Sequence, residues 1–313
     1  LTASQPPSPI RHLLEPWAYT VPAGFTLRGY RSPPSGRPLV HFIHGNGYSG
    51  LVYEHMLAPL LEHVDLFISD VQGHGDSDHG GRFAGWNRNA HQCVEVLAHY
   101  LPDYVDGAGQ QVAVYGLGHS FGGVLTALIM GQSPALFSRA VLLDPVMFTP
   151  NMIRLMALTS AFGLYQRNTM ARRARNRRSS WNDMAKARRN FHNRGIFRGW
   201  DERSLDSYLH HGLTRDEDSG ELALKCQPER EAEVFATFPR RLWPSLRRVQ
   251  SPTHIIYGDK TYPFVGQSAQ RITRINPRFT SEEVPGGHCF MLERPEETAG
   301  RVLGSFGLGP VRD

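Results

Sequence analysis

The sequence predicts an α/β fold: a mostly parallel central sheet with helices on both faces, interrupted by a helical cap insertion. Three observations carry this. Short apolar or β-branched runs alternate with segments of helical apolar spacing, the pattern of a parallel sheet joined by right-handed crossovers. One such run ends in Gly116-Leu117-Gly118-His119-Ser120-Phe121-Gly122-Gly123 and passes directly into an apolar helical stretch. The alternation then breaks near Met147 and resumes only at Thr253. With 313 residues, the chain suits one large domain carrying an inserted sub-domain better than two independent domains.

In chain order, residues 1–16 read as an irregular arm, rich in Pro and Ser at its start. Residues 17–30 alternate around Gly24 and Gly29 and read as a pair of short strands. A Pro/Gly/Ser turn over 31–38 leads to the apolar run 39–43, read as a buried strand that stops at His44-Gly45-Asn46-Gly47. Residues 53–63 have helical spacing, 66–69 form the next strand, and 90–100 a helix. The strand before Ser120 and the helix 124–130 follow, then a sixth strand, 140–143, closed by Asp144-Pro145. Between 147 and 243 the readable elements are helices at 157–173, 181–191 and 229–238, with a turn and extended piece at 219–224. Strands at 253–258 and 280–284 and a helix from 295 to 306 complete the chain. The expected division is a core of 1–146 and 246–313 and a cap of 147–245.

Composition narrows the function classes. No run of about 18 apolar residues exists, so no transmembrane helix is expected. The first residues lack the basic-then-apolar order of a signal peptide, which favours the cytoplasm. The three cysteines, Cys93, Cys226 and Cys289, are far apart and lack metal-ligand spacing, so they read as reduced structural thiols. The net charge of +5 is concentrated: residues 167–198 hold eleven Lys or Arg and one acid, Asp183. That stretch reads as a solvated helix face, with an anionic substrate, a membrane surface or an acidic partner as rival readings. No aromatic interleaving or nucleic-acid motif accompanies it, so nucleic-acid binding is not expected. Oligomeric state leaves no mark in the sequence.

The Gly118-His119-Ser120-Phe121-Gly122 segment is where chemistry is expected. Glycines two residues either side of Ser120 permit a sharp strand-to-helix turn that holds the serine strained and exposed at its tip. The amides of the new helix point at the same place, where negative charge would develop. With His44-Gly45-Asn46-Gly47 after one strand, Asp70-Val71-Gln72-Gly73-His74-Gly75-Asp76-Ser77 after the next, and Gly286-Gly287-His288 near the end, the chain resembles the α/β-hydrolase family over almost its whole length. The resemblance implies a serine hydrolase of esterase or lipase type. Ser120 would be the nucleophile and His288 the base. The backbone N–H groups of Phe121 and Asn46 would form the oxyanion hole. No cofactor and no metal is implied, and the partner is a small-molecule ester. A serine in the elbow argues against dehalogenases and epoxide hydrolases, which use an aspartate there.

The catalytic acid has two candidates. Asp144 ends the sixth strand and resembles the arrangement of haloalkane dehalogenases and pancreatic-type lipases. Asp259 follows Gly258 at the end of the seventh. The place many family members use, three residues after that glycine, is Thr261, which has no charge to offer an imidazolium. Asp144 is preferred and Asp259 is the alternative. Of the 15 histidines, His41, His44, His74 and His119 read as packing or loop residues. Hydrolysis of carboxylic esters is the expected activity. Carbon–carbon bond hydrolysis, amide hydrolysis or acyl transfer on the same triad stay open, as does a non-catalytic binding module.

Overall fold

The computed structural model describes residues 8–216 and 220–309. Residues 1–7 of the expected arm and Ser219 of the expected turn lie outside the described residues. A central sheet forms from β1 (Glu15–Thr20), β2 (Thr26–Arg31), β3 (Leu39–Ile43), β4 (Asp65–Asp70), β5 (Val114–His119), β6 (Arg139–Leu143), β10 (Thr253–Gly258) and β11 (Phe279–Val284). Their spatial order is β1-β2-β4-β3-β5-β6-β10-β11. The six strands from β4 to β11 run parallel, and the β1–β2 hairpin adds an antiparallel edge.

Both faces of the central strands β3, β4, β5 and β6 are buried, which is why they read as continuous apolar runs, whereas β1, β2 and β11 towards the edges are only partly buried. In β3, Leu39 and Ile43 pack on one side, with α2 (Trp86–Tyr100), α3 (Phe121–Gln132), α9 (Leu242–Arg248) and α10 (Pro263–Ile275). Val40 and Phe42 pack on the other, with the helical turns at 50–62, α1 (Glu54–Leu57) among them, and with α11 (Phe290–Glu293) and α12 (Pro295–Phe306). The expected helix at 53–63 is instead a run of short turns, interrupted by Pro59, which cannot supply an interior helical N–H. The expected arm is shorter than read: β1 begins at Glu15.

Between β6 and β10 lie α4 (Pro150–Ala161), α5 (Thr169–Arg175), α6 (Met184–Phe191), α7 (Glu202–His211) and α8 (Pro228–Phe235). The single helix expected at 157–173 is two. Gly163 takes φ +69°, and the Asn168 side chain accepts the Ala171 N–H, ending one helix and starting the next. The insertion is also not wholly helical. β7 (Ser180–Trp181), β8 (Leu213–Arg215) and β9 (Leu222–Leu224) form a small antiparallel sheet in the order β7-β9-β8. Strands of two or three residues are too short for a period of two to register in the sequence. Helices α7, α9 and α10 were not anticipated; α10 buries Val265, Ser268, Ala269 and Ile272 along one face.

An aromatic cluster joins this inserted segment to the core. Trp200 and Tyr208 each approach Tyr48 at 5.8 Å between ring centroids, and Phe191 and Phe197 stack behind them. The outer side of α4 behaves differently: Leu155, Leu158 and Phe162 are exposed, with Leu164 beyond them.

Candidate active site

Ser120 stands between β5 and α3 with φ 54° and ψ −112°, a conformation that costs a non-glycine residue on the order of 1–3 kcal/mol. The close approach of helix to sheet explains why the strain persists. A Cβ on Gly122 would lie 2.1 Å from the Ile43 carbonyl oxygen, and one on Gly118 would lie 2.5 Å from that of Gly122. Only glycine at both places lets α3 cross so near β3. The Ser120 N–H is tied to the Leu143 carbonyl at 2.9 Å, which leaves the side chain facing the C-terminal end of the sheet.

His288 reaches that tip from the loop after β11. The Ser120 hydroxyl lies 2.8 Å from His288 Nε2, and His288 Nδ1–H donates to Asp144 Oδ2 at 2.5 Å. Asp144 is fully buried at the end of β6, with φ 42°. Its other oxygen accepts the Gly258 N–H at 2.9 Å, and the Thr261 hydroxyl donates to Oδ2. Thr261 lies 3.5 Å from His288 Nδ1 as well. The uncharged Thr261 therefore hydrogen-bonds the carboxylate that faces His288. Asp259 is not brought to His288. It accepts the Gly286 N–H at 2.8 Å and so braces the glycine turn before the histidine.

The loop after β3 is held in place by buried histidines, His44 and His119 first among them. Histidine 44 donates from Nδ1 to the Gly45 carbonyl at 2.7 Å and accepts the Val71 N–H at 3.2 Å. Burial pulls its pKa down to about 4, so it stays neutral and able to accept. The Gly45 N–H donates to the Tyr53 hydroxyl at 3.1 Å, and that hydroxyl donates to His119 Nδ1 at 2.7 Å. His119 Nε2–H then donates to the His288 carbonyl at 2.9 Å. A carbonyl only accepts, so this chain defines the His119 tautomer. Burial, and after it the charge of His288, holds His119 well below the usual histidine pKa. The relay links the loop of Asn46 to the loop of His288 through the residue beside Ser120. The sequence reading of His119 as elbow packing did not include it, because Tyr53 is 66 positions away.

Asn46 is anchored by its side chain, which donates to the Glu231 carbonyl at 3.2 Å and lies 3.1 Å from His74 Nε2. Its backbone is thereby held at the same end of the sheet as the start of α3. Phe121 is the first residue of that helix, where an N–H has no intrahelical acceptor.

The remaining sequence candidates fall outside this cluster. Cys93, Cys226 and Cys289 are buried free thiols, each pushed up in pKa by burial. Among the described residues, no three His, Cys, Asp or Glu side chains converge as metal ligands, and no helix is long and apolar enough to cross a membrane. The basic stretch is mixed. Arg177 is largely buried against Glu231 at 2.5 Å and Tyr208 at 3.3 Å, and Arg188 pairs with Glu202 and Asp206. Arg172, Arg173, Arg175 and Arg178 are exposed or nearly so.

Comparison with known proteins agrees with this architecture. Monoglyceride lipase of Mus musculus is 34% identical over 122 residues, 36% of this chain and 37% of that protein. Lipase LipV of Mycobacterium tuberculosis is 34% identical over 119 residues, 38% of this chain and 41% of its own. The matches thus span about two fifths of these relatives. Among solved structures, a peroxisomal alpha-beta-hydrolase from Saccharomyces cerevisiae superposes with a TM-score of 0.72 at 17% identity, covering 96% of this chain and 90% of its own. The model of the alpha/beta hydrolase family matches residues 42–301, from the strand before the Gly45 loop to the last helix, and this chain belongs to that family.

Proposed function

We propose that this protein hydrolyses carboxylic esters through an acyl-enzyme on Ser120. The observation that carries the reading is the unbroken hydrogen-bonded line from Ser120 through His288 to Asp144, at 2.8 and 2.5 Å. A serine hydroxyl is a poor nucleophile at neutral pH until a base removes its proton. In this reading His288 takes the Ser120 proton as Oγ attacks the acyl carbonyl, and the imidazolium that forms is steadied by Asp144. The amides of Phe121 and Asn46 hold the oxyanion. The proton passes to the departing alcohol as the ester C–O bond breaks. Water, deprotonated by the same imidazole, then cleaves the acyl-enzyme and restores the serine. No step calls on a cofactor. Residues 147–245 would act as the cap through which the substrate meets the core of 1–146 and 246–313.

The test is turnover of p-nitrophenyl esters of graded chain length, set beside the matching anilides. The esters should be cleaved and the anilides much more slowly. Ser120→Ala should remain folded by circular dichroism and lose ester turnover by about 10³-fold or more. Wild-type protein should also label with a fluorophosphonate, and Ser120→Ala should not. A folded Ser120→Ala variant with near-normal turnover would refute the mechanism. Labelling without ester turnover would move the function to another reaction on the same residues.

A further inference from the structure

A cavity of about 1260 Å³ opens between the 82–88 loop, α4 and the corner before α9. Its walls are largely apolar: Phe83, Trp86, Ile153, Ala157, Ala236 and Phe238. Five arginines, Arg82, Arg88, Arg175, Arg240 and Arg241, also line the cavity, against one carboxylate, Glu233.

That carboxylate is already used. Glu233 pairs with the buried Arg230 at 2.8 Å and accepts the Phe83 N–H at 3.2 Å. Arg88 has Glu95 at 3.5 Å. Among the described residues, Arg82, Arg175, Arg240 and Arg241 form no ion pair. Unpaired guanidinium groups brought to the lining of one cavity from three separate segments add positive potential there, which an anion would offset.

Hydrogen bonds tie these lining residues together. Asn87 Nδ2 donates to the Arg240 carbonyl at 2.9 Å and Asn87 Oδ1 accepts the Arg240 N–H at 2.8 Å. Trp86 Nε1–H donates to Thr237 at 3.1 Å. Arg241 itself takes φ 56°, a left-handed conformation uncommon for any residue but glycine. Two consecutive arginines are thus held at a pinned, strained corner. A pocket with apolar walls and a few placed cations suits a ligand with an apolar body and an anionic end.

Trp86 connects this cavity to the reaction centre. Its ring lines the cavity and meets Phe121 edge to face, 4.7 Å between centroids. Phe121 follows Ser120 directly. We infer that this cavity binds the anionic end of an amphiphilic ligand, a phosphate or carboxylate on an apolar chain. Ester substrates or products bearing such a group are then favoured over neutral ones. The statement about substrates rests on the ester reading above; the statement about binding does not.

The experiment has two arms on the full chain. In the first, calorimetry measures binding of octyl phosphate, octanoate and octanol. The two anions should bind, octanol should bind roughly tenfold more weakly or worse, and added salt should weaken the anions only. Whichever anion binds more tightly identifies the headgroup. The double variant Arg240→Gln/Arg241→Asn, with asparagine chosen for its tolerance of the left-handed region, should lose roughly tenfold in octyl phosphate affinity. Arg175→Gln, on a different element, should move affinity the same way, and Arg139→Gln at the far end of β6 should not. In the second arm, kcat/KM is compared for a mono-p-nitrophenyl dicarboxylate and its neutral methyl ester. The ratio should favour the anion and fall in the arginine variants.

Equal binding of octanol and octyl phosphate, or arginine variants that bind octyl phosphate as wild type does, would overturn the inference. Arginine-dependent anion binding in a protein without esterase activity would uphold this site and refute only the reaction assigned above. Esterase activity without anion binding would do the reverse.

Discussion

Asp144 and Asp259 end neighbouring strands, and what each holds separates them. Asp144 collects the His288 N–H, the Thr261 hydroxyl and the Gly258 N–H in a fully buried position. Such a carboxylate keeps the imidazole in one tautomer and gives the imidazolium a charge to face. Asp144→Asn should therefore lower ester turnover by orders of magnitude, about 10⁴-fold in the serine-protease case with the same roles. Asp259→Asn keeps an amide oxygen for the Gly286 N–H and should lose far less. Turnover of one p-nitrophenyl ester by both variants, each checked for folding, decides the matter. A nearly dead Asp259→Asn beside a nearly normal Asp144→Asn would reverse the assignment.

At the scale of elements, α8 is where the inserted segment holds the Asn46 loop and the 79–81 loop. Its Glu231 carbonyl holds Asn46, its Glu231 carboxylate holds Arg177, and its buried Arg230 donates to the His79 and Gly81 carbonyls. Helix α8 meets α5 largely through alanines, Ala171 and Ala174 on one side and Ala232 and Ala236 on the other, with Phe235 packed beside them and the Asn168 side chain donating to the Phe235 carbonyl at 2.8 Å. Small residues on both sides let the helices approach closely, and no space remains for a larger side chain. Ala232→Leu should cost about 1–3 kcal/mol by overpacking. The urea midpoint should fall with an unchanged slope, and an unchanged midpoint would mean that the seam can open without cost. Because α5 carries Arg175, the same variant should also weaken octyl phosphate binding.

Across the whole molecule, buried titratable groups set the response to acid. Burial lowers the pKa of His41 to about 3 and of His44 to about 4, and holds His74 and His119 well below the usual 6.5. All four stay neutral in the fold and take a proton near pH 6.5 when unfolded. Their stability is therefore fully present above that pH and is lost as pH falls towards 4 and 3. Asp70 acts in the opposite sense. Burial raises it to about 7 against the Gly50 and Asp76 N–H bonds that lower it, so it contributes stability as pH falls from 7 towards 4. The four buried histidines outweigh Asp70, and His55 and His210, also lowered by burial, act in the same sense, so Tm should fall by several degrees between pH 7 and pH 5. His41 contacts Ser69 and no residue of the site, so His41→Gln should reduce that slope. A Tm that is flat or rises towards pH 5 would contradict the balance.

By itself the sequence determined the fold class, the strand-turn-helix around Ser120, the late His288 and the preference for Asp144. Each of these is written locally, in a change of apolar period or in glycines a fixed number of residues from a functional side chain. The tertiary structure decided which carboxylate hydrogen-bonds His288, that Thr261 supports that carboxylate, and that Tyr53 and His119 tie two loops together. It also revealed the three-stranded sheet of the insertion and the arginines around the second cavity. Those features join segments tens to hundreds of positions apart, such as Asn46 with Glu231 or Asn87 with Arg240. No local spacing encodes such pairs; they exist because the β-sheet and the helices packed on it bring the ends of distant strands and loops to one place.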